Sequence, residues 1–526
     1  MIHSLIHICR IIKISRTLAS HDALFPLDWL PLSKGLILMA RLLSGFRVKK
    51  DCRTLRPGQK LAIALQKLGP SFIKFGQMLS TRPDLVGNEI ASDLTHLQDN
   101  LPPFSSLKAI EIIESELGSS ISDLFESFDK KPVAAASIAQ VHFAVTRTIN
   151  SENDETDRFD TKSIPREVAV KILRPNIERD FKRDTDLFLW VAKILEFVMP
   201  KIRRLHPVAS VETFIETVNL EMDLRMEASA AAELRENFSN DNKYIVPNID
   251  WERTSRRVLT TERIEGIPIH DVEELREAGH DLENLVKRAS ENFFRQVFRD
   301  GYFHADMHPG NAFVLNDSSL AVVDFGIMGR IDKETRHYLA DMLLGFVMGD
   351  YDLVADVHFR AGYVPANKDR QAFKLAVRAI GEPIFGQASS DISIARLLAQ
   401  LFQVTQQFDM ETQPQLLLLQ KTMLLAEGVG RQLAPNTNMW QLSQPLIEEW
   451  MKENRGPEAK LIEVTTNTLN ALERLPKAIS NLENITSKTI IDRLDLKKKD
   501  TQRLLVIWPL WFAIGLLAVL FWLKHY

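Results

Sequence analysis

The chain has 526 residues, 45% of them hydrophobic and 25% charged, with a formal net charge of −4. That length allows two or three compact units at about 150 residues each, and the composition excludes a disordered chain. With no basic surplus to neutralise phosphates, nucleic acid is excluded as the main partner. The two cysteines, Cys9 and Cys52, have neither CxxC nor metal-ligand spacing; this rules out a disulfide scaffold and suits a reducing compartment.

Residues 1–54 open with MIHSLIHICRIIKISRTLA, in which apolar pairs alternate with Arg10, Lys13 and Arg16 at helical spacing. Such a segment either lies on a membrane surface or packs as an ordinary amphipathic helix; it has no signal-peptide core or cleavage site. Residues 55–130 read as an apolar helical extension containing LGPSFIKFGQMLSTRPD. Lys74 stands there among Phe72, Ile73 and Phe75, so its charge calls for a partner, Glu221 or Asp223, unless it sits on the helix surface. Residues 131–266 change to short alternating runs. QVHFAVTR (140–147) and EVAVKIL (167–173) read as two antiparallel strands around a polar, solvated loop, with two further strand-like runs at 244–249 and 258–264. Residues 267–495 are almost wholly helical. The exception is AFVLNDSSLAVVDFG (312–326), a hairpin turning at 316–319.

Near the C-terminus, residues 504–523 read LLVIWPLWFAIGLLAVLFWL without one charge. Twenty residues at about 1.5 Å rise match the ~30 Å hydrocarbon core of a bilayer. Trp508, Trp511 and Trp522 lie toward its ends, and Lys497, Lys498, Lys499 and Arg503 precede it. The expectation is a single transmembrane helix with the main body on the cytoplasmic side.

The strongest chemical signal is HADMHPGN followed by DFG: Asp306, then Asn311 five positions on, then Asp324 thirteen further. Phosphoryl transfer needs oxygen donors to hold Mg²⁺ against phosphates, and another carboxylate to orient or deprotonate the acceptor. Asn311 and Asp324 fit the first role and Asp306 the second. A zinc reading of His304, Asp306 and His308 leaves Asn311 and Asp324 unexplained. In VAVK, Lys171 lies in an apolar strand, where an ammonium is costly unless it meets an anion. Nucleotide phosphates would supply it, aligned by Glu227, with Glu221 the alternative. Upstream, where a kinase carries a glycine-rich loop, this chain has PVAAASIAQVHFA. Val133, Ala134, Ala135, Ala136, Ser137, Ile138, Ala139, Gln140 and Val141 are the candidate ATP-binding loop, cradling phosphate through backbone N–H groups and the Ser137 hydroxyl. Alanine reaches positive φ less cheaply than glycine, so the loop is expected to be stiffer and more helical than a glycine-rich one.

KFGQ (Lys74, Gly76, Gln77), AAAS, Glu221 and Asp223 as ExD, HADMHPGN and DFG together resemble the UbiB family of atypical kinase-like proteins, related to the ADCK proteins. The resemblance covers about residues 55–363. It implies an α+β, two-lobed protein-kinase-like fold whose N-terminal helical extension covers the usual peptide-substrate site. It also implies ATP and Mg²⁺ as cofactors, and kinase or ATPase activity tied to aerobic coenzyme Q synthesis. The partners it implies are membrane lipids, quinone precursors and the enzymes that modify them, at a bacterial inner membrane. After DFG the sequence has no Ala-Pro-Glu landmark, and a helix is expected within a few residues of Gly329, which argues independently against peptide phosphorylation. A nucleotide-controlled binding module is the alternative to an enzyme.

Overall fold

In the computed structural model the N-terminal segment is a helix, α1 (Ile2–Ser20), and it packs on the protein's own helical extension. Ile14 and Leu18 join a core formed by Leu61, Leu65, Phe72, Ile73 and Leu94, and Arg10 donates to buried Asp184 at 2.6 Å. Of the two readings of this segment, ordinary packing is the one these contacts support. The extension consists of α2 (Pro57–Leu68), α3 (Pro70–Ser80) and α4 (Asn88–Leu94). Prolines open α2 and α3, where no N–H is needed, and Gly69 breaks the chain between them at φ 111°. Gly76 is required by close approach: a Cβ there would meet Leu65 Cδ1 at 2.7 Å.

The described residues are 2–23, 55–80, 86–94, 97, 101–147, 165–198, 207–385, 404, 407–410, 413–435, 445 and 450. Those up to 445 belong to one unit, Met1–Ile447; of the second, Glu448–Tyr526, only Trp450 is described. The expected span at 504–523 and the polar loop at 151–163 lie outside the described residues, among which no helix is long and apolar enough to cross a membrane.

After α5 (Ser106–Leu117) and the short α6 (Ile121–Leu124) comes a five-stranded antiparallel sheet. Its strands are β1 (Phe125–Phe128), β2 (Ala134–Ala135), β3 (Ala139–Thr146), β4 (Glu167–Leu173) and β6 (Val258–Glu262), in the order β1-β3-β4-β6 with β2 also on β3. The two-residue period of EVAVKIL sorts its side chains by face. Val168, Val170 and Ile172 enter a core with Ile112, Ile113 and Phe125, which puts Lys171 on the opposite face, paired with Val141 and Leu259. Leu173, Ala139 and Leu259 on that face pack with Phe181, Phe214 and Leu224. These come from α7 (Ile177–Val198), α8 (Pro207–Glu221) and α9 (Leu224–Asn237).

The alanine-rich run departs from expectation, since it is a β-hairpin and not more helical. Ala134 and Ala135 pair with Val141 and Gln140, and Ala136 N–H donates to Ala139 O at 2.8 Å across Ser137 and Ile138. None of residues 133–141 has positive φ, so alanine costs nothing here, and the ladder to β3 overrides helix propensity.

The second sheet has the order β5-β10-β9-β7. It consists of β5 (Tyr244–Ile245), β7 (Ile267–Pro268) and the expected hairpin, β9 (Ala312–Val314) and β10 (Leu320–Val322), whose turn closes through Leu315 N–H and Ser319 O. The run at 244–249 therefore reaches this second sheet, through a parallel pairing of β5 with β10. Helices α10 (Val272–Glu277) and α11 (Leu282–Phe294) follow β7, and a π-helical turn at Arg295–Asp300 ends on Gly301. Strand β8 (Tyr302–His304) then pairs with β11 (Met328–Arg330). The rest is helical: α12 (Lys333–Met348), α13 (Tyr351–Arg360), α14 (Arg370–Phe385) and α15 (Pro414–Leu433). Helix α12 starts four residues after Gly329, capped by Asp332, so no extended activation loop separates it from the DFG turn.

Candidate active site

Lys171 leaves β4 on the face away from the sheet core and meets two carboxylates. Its Nζ donates to Glu227 Oε1 and Oε2 at 2.7 and 2.9 Å, and to Asp324 Oδ1 at 2.9 Å. Of the two glutamates considered for this position, Glu227 is the one that arrives. Helix α9 is fixed on both sides, Ala228 in the core beneath the first sheet and Ala231 and Leu234 in that of the second. Burial opposes the charge on Lys171, but Asp324 and Glu227 outweigh it and hold the ammonium above its ordinary range. The Lys171 charge in turn holds Asp324 well below the usual carboxylate range. Burial pushes Glu227 up, to about 7, against the pull of Lys171.

Asp324 is one of five non-glycine residues with positive φ among the described residues, at 64°. A left-handed aspartate costs about 1 kcal/mol or more. Phe325 beside it is anchored in the second core and meets the His304 ring edge-on at 5.6 Å. That anchor turns the half-exposed Asp324 carboxylate back toward Lys171.

The ExD pair divides its work. Glu221, at the end of α8, takes Lys74 of α3 at 2.7 Å, both side chains nearly buried. Asp223 instead caps α9, accepting from Arg225 N–H, and pairs with the Arg225 guanidinium. One acidic residue thus ties the extension to the site, and the next starts the helix that carries Glu227. Lys74 is near enough to contribute to holding Asp324 ionised. Gln77 follows on the same helix.

In the loop after β8, His304 is fully buried and commits both ring nitrogens, one to Val323 O and one to Asp306 N–H. His308 accepts from Gly310 N–H. These rings fasten the backbone, and among the described residues no cluster of three metal-ligating side chains forms. Asn311 Nδ2 donates to Asp306 O at 3.1 Å, which leaves its amide oxygen as an available donor to a cation. The Asp306 carboxylate meets Lys421 of α15, Nζ to Oδ1 3.0 Å.

The alanine hairpin is stitched to the segment that enters α5. Arg174 donates to Ala136 O from two nitrogens, at 3.1 and 2.8 Å, and to the carbonyls of Leu101 and Pro102. Gln140 is wholly buried, accepts from Phe104 N–H and donates to Phe104 O, and Ala139 is also buried. Val133 is exposed, Ala134 to Ala136 lie at the surface of the turn, and Ile138 packs on the core below it. Among the described residues the buried Ser137 hydroxyl finds no hydrogen-bond partner.

Sequence reasoning missed Lys421 and Arg174. Lys421 carried a signal, since it is the lone cation of LLLLQKTMLL, as Lys74 and Lys171 are in their apolar runs. Arg174 carried none, because its carbonyl partners are remote in sequence.

Residues 96–358 match the ABC1 atypical kinase-like domain, and residues 377–438 the UbiB helical domain. A probable protein kinase UbiB from Marinobacter nauticus is 43% identical over 427 residues, covering 80% of this chain and 75% of that protein. The protein of the same description from Cellvibrio japonicus is 40% identical over 474 residues, covering 89% and 82%. That from Pseudomonas aeruginosa is 44% identical over 411 residues, covering 77% and 74%. A solved Mycobacterium tuberculosis protein, described in complex with erythromycin, aligns with 79% of this chain at 23% identity and a TM-score of 0.48, a likeness too loose to argue from. The two domain matches and these relatives agree: the chain belongs to the UbiB family of atypical kinase-like proteins.

Proposed function

We propose that the protein binds Mg·ATP at this site and transfers or hydrolyses its γ-phosphate in support of ubiquinone biosynthesis. The observation that carries the reading is the contact of Lys171 with both Glu227 and Asp324. It holds a cation suited to phosphate and a carboxylate suited to a metal within hydrogen-bond distance of each other. In this reading Lys171 holds the α- and β-phosphates and Glu227 aligns it. The hairpin at 133–141 covers the phosphates through backbone N–H groups, and the Ser137 hydroxyl, without a partner among the described residues, would donate to them. Asp324 and the Asn311 amide oxygen are hard oxygen donors suited to Mg²⁺, which takes only one or two protein ligands beside phosphates and water. The cation would neutralise phosphate charge; Asp306 receives the proton of the attacking hydroxyl or water.

The acceptor is read as small or lipidic, because α3 and Lys74 approach the site from the extension. The span at 504–523 would keep the site beside membrane-held quinone precursors and the enzymes that act on them. A second reading, nucleotide-controlled binding without transfer, draws on the same approach. Radiolabelled ATP given to the purified protein, with and without vesicles and quinone-precursor phenols, tests both. Labelled lipid or phenol selects transfer and free phosphate alone selects hydrolysis. Binding without turnover leaves the second reading, and absence of Mg·ATP binding removes both.

A further inference from the structure

Asp306 stands in a loop, HADMHPGN, that holds no lysine or arginine. The cation that meets it comes from Lys421 on α15, within the helical-domain match and outside the kinase-like one. Helix α15 is firmly placed. Leu433 and Ala434 enter the same core as Phe325 and Val322, while Leu419 and Thr422, either side of Lys421, are buried. Lys421 itself stays 30% exposed and Asp306 34%. A half-buried pair with both groups about one third open to solvent stabilises modestly, about 1 kcal/mol, so holding the fold together is a weak reason for it. Lys74 and Lys171 both serve the Asp324 side of the site; Lys421 is the cation on the Asp306 side.

We propose that Lys421 is a further catalytic residue, contacting the γ-phosphoryl group during transfer; this rests on the Mg·ATP reading above. The acceptor oxygen bonds to the γ-phosphorus as the bond from phosphorus to the β-bridging oxygen breaks. ADP leaves with the electron pair, and the acceptor proton passes to Asp306. Negative charge then lies on the equatorial phosphoryl oxygens, next to the carboxylate that faces the acceptor. A lysine with a flexible four-carbon stem, fixed at its Cα by α15, exchanges Asp306 for those oxygens without moving the backbone. Without nucleotide it holds Asp306 in place.

The test uses the full-length protein in detergent and measures ATP turnover and Mg·ATP affinity for wild type, Lys421→Met, Lys421→Arg and Arg431→Ala. Arg431 lies exposed on the same helix, paired with Glu427, and serves as the control. The expected result for Lys421→Met is a kcat lowered roughly 100-fold with affinity kept within about 3-fold, as for an interaction made only in the transition state. Lys421→Arg recovers part of that loss, and Arg431→Ala matches wild type. A Lys421→Met kcat within about 3-fold of wild type overturns the proposal. So does a fall in affinity as large as the fall in kcat, which would mark Lys421 as structural. A wild type that neither binds nor turns over Mg·ATP removes the underlying reading as well, so the two failures are distinct.

Discussion

The two charged centres of this molecule are built differently. Around Lys171 three groups satisfy one another, on β4, on α9 and at the end of the β9–β10 hairpin, with Lys171 and Glu227 only 16% and 9% exposed. The elements that carry them are held by the two cores. Among the described residues the Asp306 carboxylate has one ion-pair partner, Lys421, 30% exposed and carried by a helix of the appended domain. Such a pair exchanges partners at little cost, whereas breaking the first leaves a buried charge unpaired. The comparison teaches that the Lys171 side of this site is rigid and the Asp306 side replaceable; in the proposed function these are the phosphate-holding and the reacting sides.

The largest expected effect comes from the rigid side. Asp324→Asn removes the carboxylate that would face a hard cation in the proposed function, and the charge that balances Lys171. Mg²⁺-dependent ATP affinity should fall by roughly 1,000-fold, about 4 kcal/mol. Titration of Mg·ATP onto both proteins measures it, and wild-type affinity would remove Asp324 from the metal's ligands. Next, Lys74→Ala leaves Glu221 nearly buried without its cation, and stability should fall by about 3 kcal/mol. Denaturant unfolding checks this; a loss under about 1 kcal/mol would place the pair with the replaceable surface kind.

Arg174→Ala tests whether the alanine hairpin shares the rigidity of the Lys171 side. Its guanidinium ties Ala136 to Leu101 and Pro102, so removal should cost about 2 kcal/mol. It should also raise hydrogen exchange at 134–137, while exchange in β4 stays as it was. The smallest stability effect belongs to Ala135→Gly, about 0.5–1 kcal/mol for a glycine in a strand. Mg·ATP affinity should change more than stability does, because the turn gains access to positive φ over the phosphates. If affinity is unchanged, the hairpin does not cradle the phosphates.

Several parts of this arrangement could be read directly from residue order. The alternation of EVAVKIL fixes which face Lys171 takes, because the strand period is two and one face must be buried. The hairpin before DFG follows from two apolar runs around a polar turn, and the lone lysines in apolar runs announce acidic partners. The alanine-rich run misleads because local propensity favours a helix, and only pairing with β3 decides otherwise.

By itself, then, the sequence determined which residues carry charge into apolar surroundings, and which strands and helices present them; both depend on local periodicity and on the cost of an unpaired ion. Tertiary structure alone decided the partners. Glu227 rather than Glu221 meets Lys171 because α9 packs on both cores, leaving Glu221 for Lys74. Lys421 meets Asp306 across 115 residues because α15 buries Leu433 and Ala434 beside Phe325. Pairing at that separation depends on how helices dock, and no spacing within the chain encodes it.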